Sequence, residues 1–155
     1  MVDASGDPPS RVDALLAERR SHLDRVSVEE LDDVRAAGAL VVDIRPVGDR
    51  IREGALPGAI VIDRNVLEWR LDPTSPNRVP EAVDADRRIV LVCNEGYASS
   101  IAAVGLQDLG LPNATDLVGG YRAWRSAVDR TVSTAPPTGH SAAQSVGGST
   151  GPAAR

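Results

Sequence analysis

The run Ala39-Leu40-Val41-Val42-Asp43-Ile44 constrains the fold of this chain more than any other stretch. It is almost continuously apolar and rich in β-branched residues. It lacks the alternation of a strand that is wet on one face, so it reads as a strand buried on both. Ala59-Ile60-Val61-Ile62, Ile89 to Cys93 and Thr115 to Val118 read as three further short strands. Helical stretches lie around and between them. Ser27 and Glu30 form a capping-box pattern, and Val28, Leu31 and Val34 share one helical face as far as Gly38. Asn65 to Leu71 suits one or two helical turns, and Ala98 to Leu109 suits a longer helix closed by Gly110 and Pro112. Tyr121, Trp124 and Val128 line one face of a last helix, while Arg11 to Leu23 is a modestly amphipathic helix that caps the domain edge or frays. Val47 to Glu53 reads as a polar segment leading to the turn-rich Gly54-Ala55-Leu56-Pro57-Gly58. Strands alternating with helices predict an α/β fold with a central, mainly parallel sheet covered on both faces. In such sheets the working residues lie at the carboxyl ends of strands.

Composition narrows the function. A chain of 155 residues, 42% hydrophobic and 25% charged, suits one globular domain with a single core. Its net charge of −5 gives no electrostatic case for nucleic acid or an anionic membrane as a partner. No apolar run approaches the ~18 residues of a membrane span. Met1 to Ser10 is polar and lacks a secretory pattern, so the cytoplasm is the expected location. All 17 basic residues are arginine, which excludes Schiff-base lysine chemistry. With one cysteine, and with His22 and His140 far apart, no disulfide, metal or other cofactor is expected. From about Thr131 the chain is mostly Ala, Gly, Ser, Thr and Pro, so residues 131–155 are expected to be a disordered tail.

Cys93 stands where the apolar run Val90-Leu91-Val92 stops and the loop Asn94-Glu95-Gly96-Tyr97 begins, with a helix to follow. Backbone N–H groups of a short loop feeding a helix N-terminus favour negative charge, and so a thiolate. The plainer reading is a buried cysteine that merely packs. Its place at the strand's end, followed by Asn, Glu and Gly, argues for the reactive one.

Four pieces together resemble the rhodanese family. They are Asp43-Ile44-Arg45, Glu53-Gly54-Ala55-Leu56-Pro57-Gly58-Ala59, the Cys93 loop, and Gly119-Gly120-Tyr121-Arg122-Ala123-Trp124. In order and spacing they are similar to a single rhodanese domain covering roughly Val26 to Val128. The chain then divides into an N-terminal segment 1–25, a rhodanese domain 26–130 and the tail. The resemblance implies a three-layer α/β fold and a sulfurtransferase. Cys93 would take a sulfane sulfur from a small donor, thiosulfate or a persulfide, and hold it as a persulfide. It would then pass the sulfur to a thiophilic acceptor: cyanide, a thiol or a protein. Asn94, Glu95, Gly96, Tyr97, Ala98 and Ser99 would form a ring of loop N–H groups around that sulfur. The alternative is a non-catalytic rhodanese-fold module that senses persulfide or oxidant, or binds a protein.

Where many active rhodaneses carry a basic residue, this sequence has Ala98. The loop's only charge is Glu95, which opposes a dianionic donor. Arg64, just past the second strand, either supplies the missing cation or lies on the surface. Asp43 and Arg45 read as a salt-bridged strand end or as support for the site. Trp69 walls the pocket or fills core, Tyr97 shields the sulfur or packs outward, and Ser99 and Ser100 read as helix caps. Tyr121 and Trp124 read as core.

Overall fold

The computed structural model of the chain describes residues 6–135. Four parallel strands form one sheet in the order β2-β1-β3-β4: β1 Leu40–Asp43, β2 Ile60–Val61, β3 Ile89–Val92 and β4 Ala114–Asp116. All four expected strands are present; the first three have trimmed ends, and the fourth starts one residue earlier than expected and ends two earlier. The central pair runs in register from Leu40 beside Ile89 to Asp43 beside Val92.

Because side chains alternate along a strand, β1 and β3 feed two separate apolar layers. Leu40, Val42, Leu91 and Cys93 face Leu67 and Leu71 of helix α4 (Leu67–Leu71) and Ala102, Ala103 and Leu106 of helix α5 (Ala98–Asp108). Val41, Val90 and Val92 face Leu31 of α2 (Leu31–Ala36) and Tyr121 of α6 (Gly120–Thr134). Residues buried on both sides explain the unbroken apolar runs.

Helix α1, Arg11–Arg20, starts at a Ser10 cap and packs on α5 through the buried Leu16. Ser27 and Glu30 make the reciprocal capping-box bonds just ahead of α2. A 3₁₀ turn, Arg64–Val66, runs into α4.

Two expectations are corrected. Val47–Glu53 is a helix, α3, rather than a polar connector. It buries no residue, so its sequence carries no apolar period to betray it. Residues 131–134, expected to be disordered, continue α6. Extending a formed helix adds one bond per residue, and the Thr131 and Thr134 hydroxyls donate to the Ala127 and Arg130 carbonyls. The rest of the expected tail, 136–155, lies outside the described residues.

Candidate active site

Cys93 leaves the end of β3 on the α5 side of the sheet and is 8% exposed. The chain then turns through Asn94 to Tyr97 into α5. Gly96 makes the turn at φ +80°, where its N–H donates to Cys93 Sγ at 3.1 Å. A Cβ on Gly96 would lie 2.8 Å from Gly119 N, and one on Gly120 would lie 2.5 Å from the Cys93 carbonyl oxygen. The loop therefore sits backbone to backbone on the Gly119-Gly120 turn. There the unpaired N–H groups of the first turn of α6 are used: Tyr121 N–H donates to the Cys93 carbonyl at 2.9 Å and Arg122 N–H to the Asn94 carbonyl at 3.1 Å. These two bonds fix the peptide planes that follow Cys93 and Asn94, and the next N–H, that of Gly96, is the one that reaches the sulfur.

Beneath the loop is a buried polar network. The Cys93 thiol donates to Ser99 Oγ at 3.2 Å, and Ser99 and Ser100 each donate to Asp116 Oδ2 at 2.8 Å. Arg25 Nε donates to the other Asp116 oxygen at 2.8 Å. Asp116, Ser99 and Ser100 have no solvent exposure. The two serines thus serve the network, and the expectation that they cap α5 is corrected: the helix has no side-chain cap. The competing acceptor is Asp116, whose charge the two hydroxyls and Arg25 compensate.

Above the loop, Cys93, Asn94, Glu95, Tyr97 and Ala98 line a cavity of about 380 Å³ with Ile44, Pro46, Arg64 and Arg122. Arg64 thus lies at the cavity, paired to Glu68 at 2.9 Å. Arg122 bonds Glu95 at 2.6 Å and Glu53 at 2.9 Å, so a cation that the loop lacks arrives from α6. The hydrogen bonds to Glu53 and then Glu95 hold Arg122 above its ordinary range, and the same contact holds Glu53 below its own. The Asn94 amide donates to Asp49 at 2.8 Å and lowers that carboxyl. Tyr97 is 56% exposed at the cavity edge. Trp69, at 59%, neither lines the cavity nor fills core. A larger open groove of about 610 Å³ beside Trp124 holds no cysteine or histidine.

Asp43 and Arg45 do not line the cavity. They form a buried ion pair at 2.7 Å on the opposite layer, and Arg45 lies over the Tyr121 ring at 3.6 Å. Their contact with the site passes through Tyr121, whose N–H holds the Cys93 carbonyl.

The model of the rhodanese-like domain matches residues 27–127. The chain belongs to the rhodanese-like family. Thiosulfate sulfurtransferase GlpE of Pseudomonas fluorescens Pf-5 is 31% identical over 106 residues, covering 68% of this chain and 88% of GlpE. Adenylyltransferase and sulfurtransferase UBA4 of Meyerozyma guilliermondii is 28% identical over 123 residues, covering 72% of this chain; the match spans only 26% of UBA4. The solved structure of RPA3614 from Rhodopseudomonas palustris, described as a protein of unknown function and possible tyrosine phosphatase, matches with a TM-score of 0.68. It is 31% identical, over 79% of this chain and 97% of that one. This rhodanese-like domain therefore has sulfurtransferases among its relatives, and its lone cysteine sits where the fold's strand ends meet a cavity.

Charged residues that contact the site but were not singled out from the sequence are Arg20, Arg25, Asp49, Asp116 and Arg122. Arg122 alone had a signal, two residues past the Gly119-Gly120 pair that opens a helix.

Proposed function

We propose that this rhodanese-like domain is a sulfurtransferase that carries sulfur on Cys93. The Cys93 thiolate attacks the outer sulfur of a donor, the donor's S–S bond breaks, and the leaving group departs with the electron pair, as sulfite from thiosulfate or as a thiolate from a persulfide. The acceptor, cyanide or a thiol, then takes that sulfur and returns the Cys93 thiolate, with no external oxidant. The observation that carries this reading is the Gly96 N–H at 3.1 Å from a sulfur that opens onto the 380 Å³ cavity. It donates where negative charge develops on the Cys93 sulfur.

The rim favours an organic persulfide over thiosulfate. Arg64 is paired with Glu68, and Arg122 with both Glu53 and Glu95, so little positive charge is left to attract a dianion. Phosphatase chemistry is disfavoured because residues 94–99 carry no arginine to clamp a phosphoryl group. A single free cysteine suits a reducing compartment such as the cytoplasm, where a thiol or a protein is the natural acceptor.

Intact-mass measurement tests the reading. Reduced protein incubated with a small-molecule persulfide should gain one sulfur, and cyanide should remove it as thiocyanate. Cys93→Ser should gain none. If neither a persulfide nor thiosulfate loads a protein whose Cys93 still alkylates, the sulfurtransferase reading fails and a sensing or binding module takes its place.

A further inference from the structure

Arg20 and Arg25 precede the stretch 27–127 that matches the family model, yet both reach the underside of the Cys93 loop. Arg20 Nη2 donates to the Gly96 carbonyl at 2.7 Å, and Arg25 Nη2 donates to the same oxygen at 3.2 Å. Arg20 Nε also donates to Ser100 Oγ at 3.2 Å, and its guanidinium lies 5.3 Å from the centre of the Tyr97 ring. Both arginines come from fixed backbone. Helix α1 is docked on α5, and Val26, next to Arg25, bonds the Asp116 carbonyl at 3.0 Å and pairs with Leu117.

A peptide unit is planar, and its C=O and N–H point in opposite directions. Two cationic donors on one carbonyl therefore fix the whole Gly96–Tyr97 peptide plane. The N–H in that plane is that of Tyr97; the Gly96 N–H that reaches Sγ lies in the preceding peptide plane. The two planes are joined through the φ and ψ of Gly96, the loop residue with the widest conformational choice, and holding the carbonyl narrows that choice. The same two groups place positive charge beneath a loop whose sequence has none, and Asp116 offsets one of them.

We propose that Arg20 and Arg25 are positioning residues of the Cys93 site, clamping the Gly96 carbonyl from below so that the Gly96 N–H stays on the sulfur with positive charge beneath it. Its use in sulfur transfer rests on the proposed function above; the clamp itself acts on the free thiol. Other charged groups facing Cys93 are Asp116 through Ser99, and Glu95, Arg122 and Arg64 around the cavity.

The test uses the full chain and two readouts: the rate of Cys93 alkylation by iodoacetamide across about pH 5 to 10, and sulfur gained from a persulfide. Arg20→Gln should move the half-maximal alkylation rate to higher pH by about one unit, slowing the reaction near neutrality about tenfold. Arg20→Lys should restore most of that loss. Arg25→Lys keeps a charge opposite Asp116 but loses the planar fork, and should slow alkylation about threefold. Wild-type profiles in Arg20→Gln and Arg25→Lys, with native circular dichroism, overturn the clamp. Among the described residues Arg20 contacts the neutral Gly96 carbonyl, Ser100 hydroxyl and Tyr97 ring, so Arg20→Gln strands no buried charge among them; if it fails to fold, Arg25→Lys decides. A shifted profile in a protein that never takes up sulfur upholds the clamp and refutes the sulfurtransferase reading. Shifted profiles with slower sulfur loading uphold both.

Discussion

Beneath the Cys93 loop, Asp116 has no contact with solvent and divides its oxygens among Arg25, Ser99 and Ser100. Above the loop, Arg122 holds Glu53 and Glu95 with 46% of its own side chain in water. Both are arginine–carboxylate clusters within one loop's thickness of the same sulfur, but solvent divides their roles. A buried pair cannot lose one member cheaply, so the lower cluster fixes geometry and stability. An exposed pair is screened and adds little to stability, so the upper cluster sets the charge that a ligand meets.

Asp116→Ala should break the lower cluster and produce the largest effect. It strands the Arg25 guanidinium and removes the acceptor of two buried hydroxyls, and urea unfolding should show a loss of about 3–5 kcal/mol. Gly96→Ala comes next, because it forces a side chain into left-handed backbone against Gly119. About 1–3 kcal/mol of stability should be lost, together with most of the sulfur loading. Glu95→Gln should leave the urea midpoint nearly unchanged but remove one of Arg122's two carboxylate partners, so that loading from thiosulfate rises about threefold at low salt and the gain fades at high salt. A Glu95→Gln effect that survives high salt would break the contrast between the two sides.

The smallest expected effect is in acid. Arg122 holds the Glu53 carboxyl below its ordinary 4.5. A carboxyl depressed in the folded state contributes stability above its unfolded value, and that stability is lost as pH falls through the lower, folded value. Arg122→Gln should therefore lessen the loss of stability below about pH 4.5, and chemical denaturation at several acidic pH values reads it directly.

The strands and most helices were legible because burial on both faces leaves an unbroken apolar run and burial on one face leaves a helical period. Helix α3 left neither, since it buries nothing. Cys93 and its loop were legible because strand end, glycine and helix follow one another in the chain. The lower cluster was not, because its parts lie far apart in sequence and are brought together by the parallel sheet: Arg25 and Asp116 are separated by 91 positions. Reading Ser99 and Ser100 as caps followed local rules that a distant buried carboxylate overrides. Arg64 showed the reverse: its position past β2 was readable, and the fold brings it to the cavity.

The alternation along β3 makes the site depend on parity. Leu91 and Cys93 belong to the layer that holds α4 and α5, and Val90 and Val92 to the layer that holds α2 and α6. Deleting one residue between Ile89 and Val92 would keep the strand apolar and still able to pair, yet would aim Cys93 at the wrong layer, away from Ser99 and the mouth of the cavity. Length changes in the half-exposed turn around Asp72–Asn77 shift nothing of this kind. Across this chain, a lost codon in the strand and a lost codon in the loop have the same size and opposite consequences.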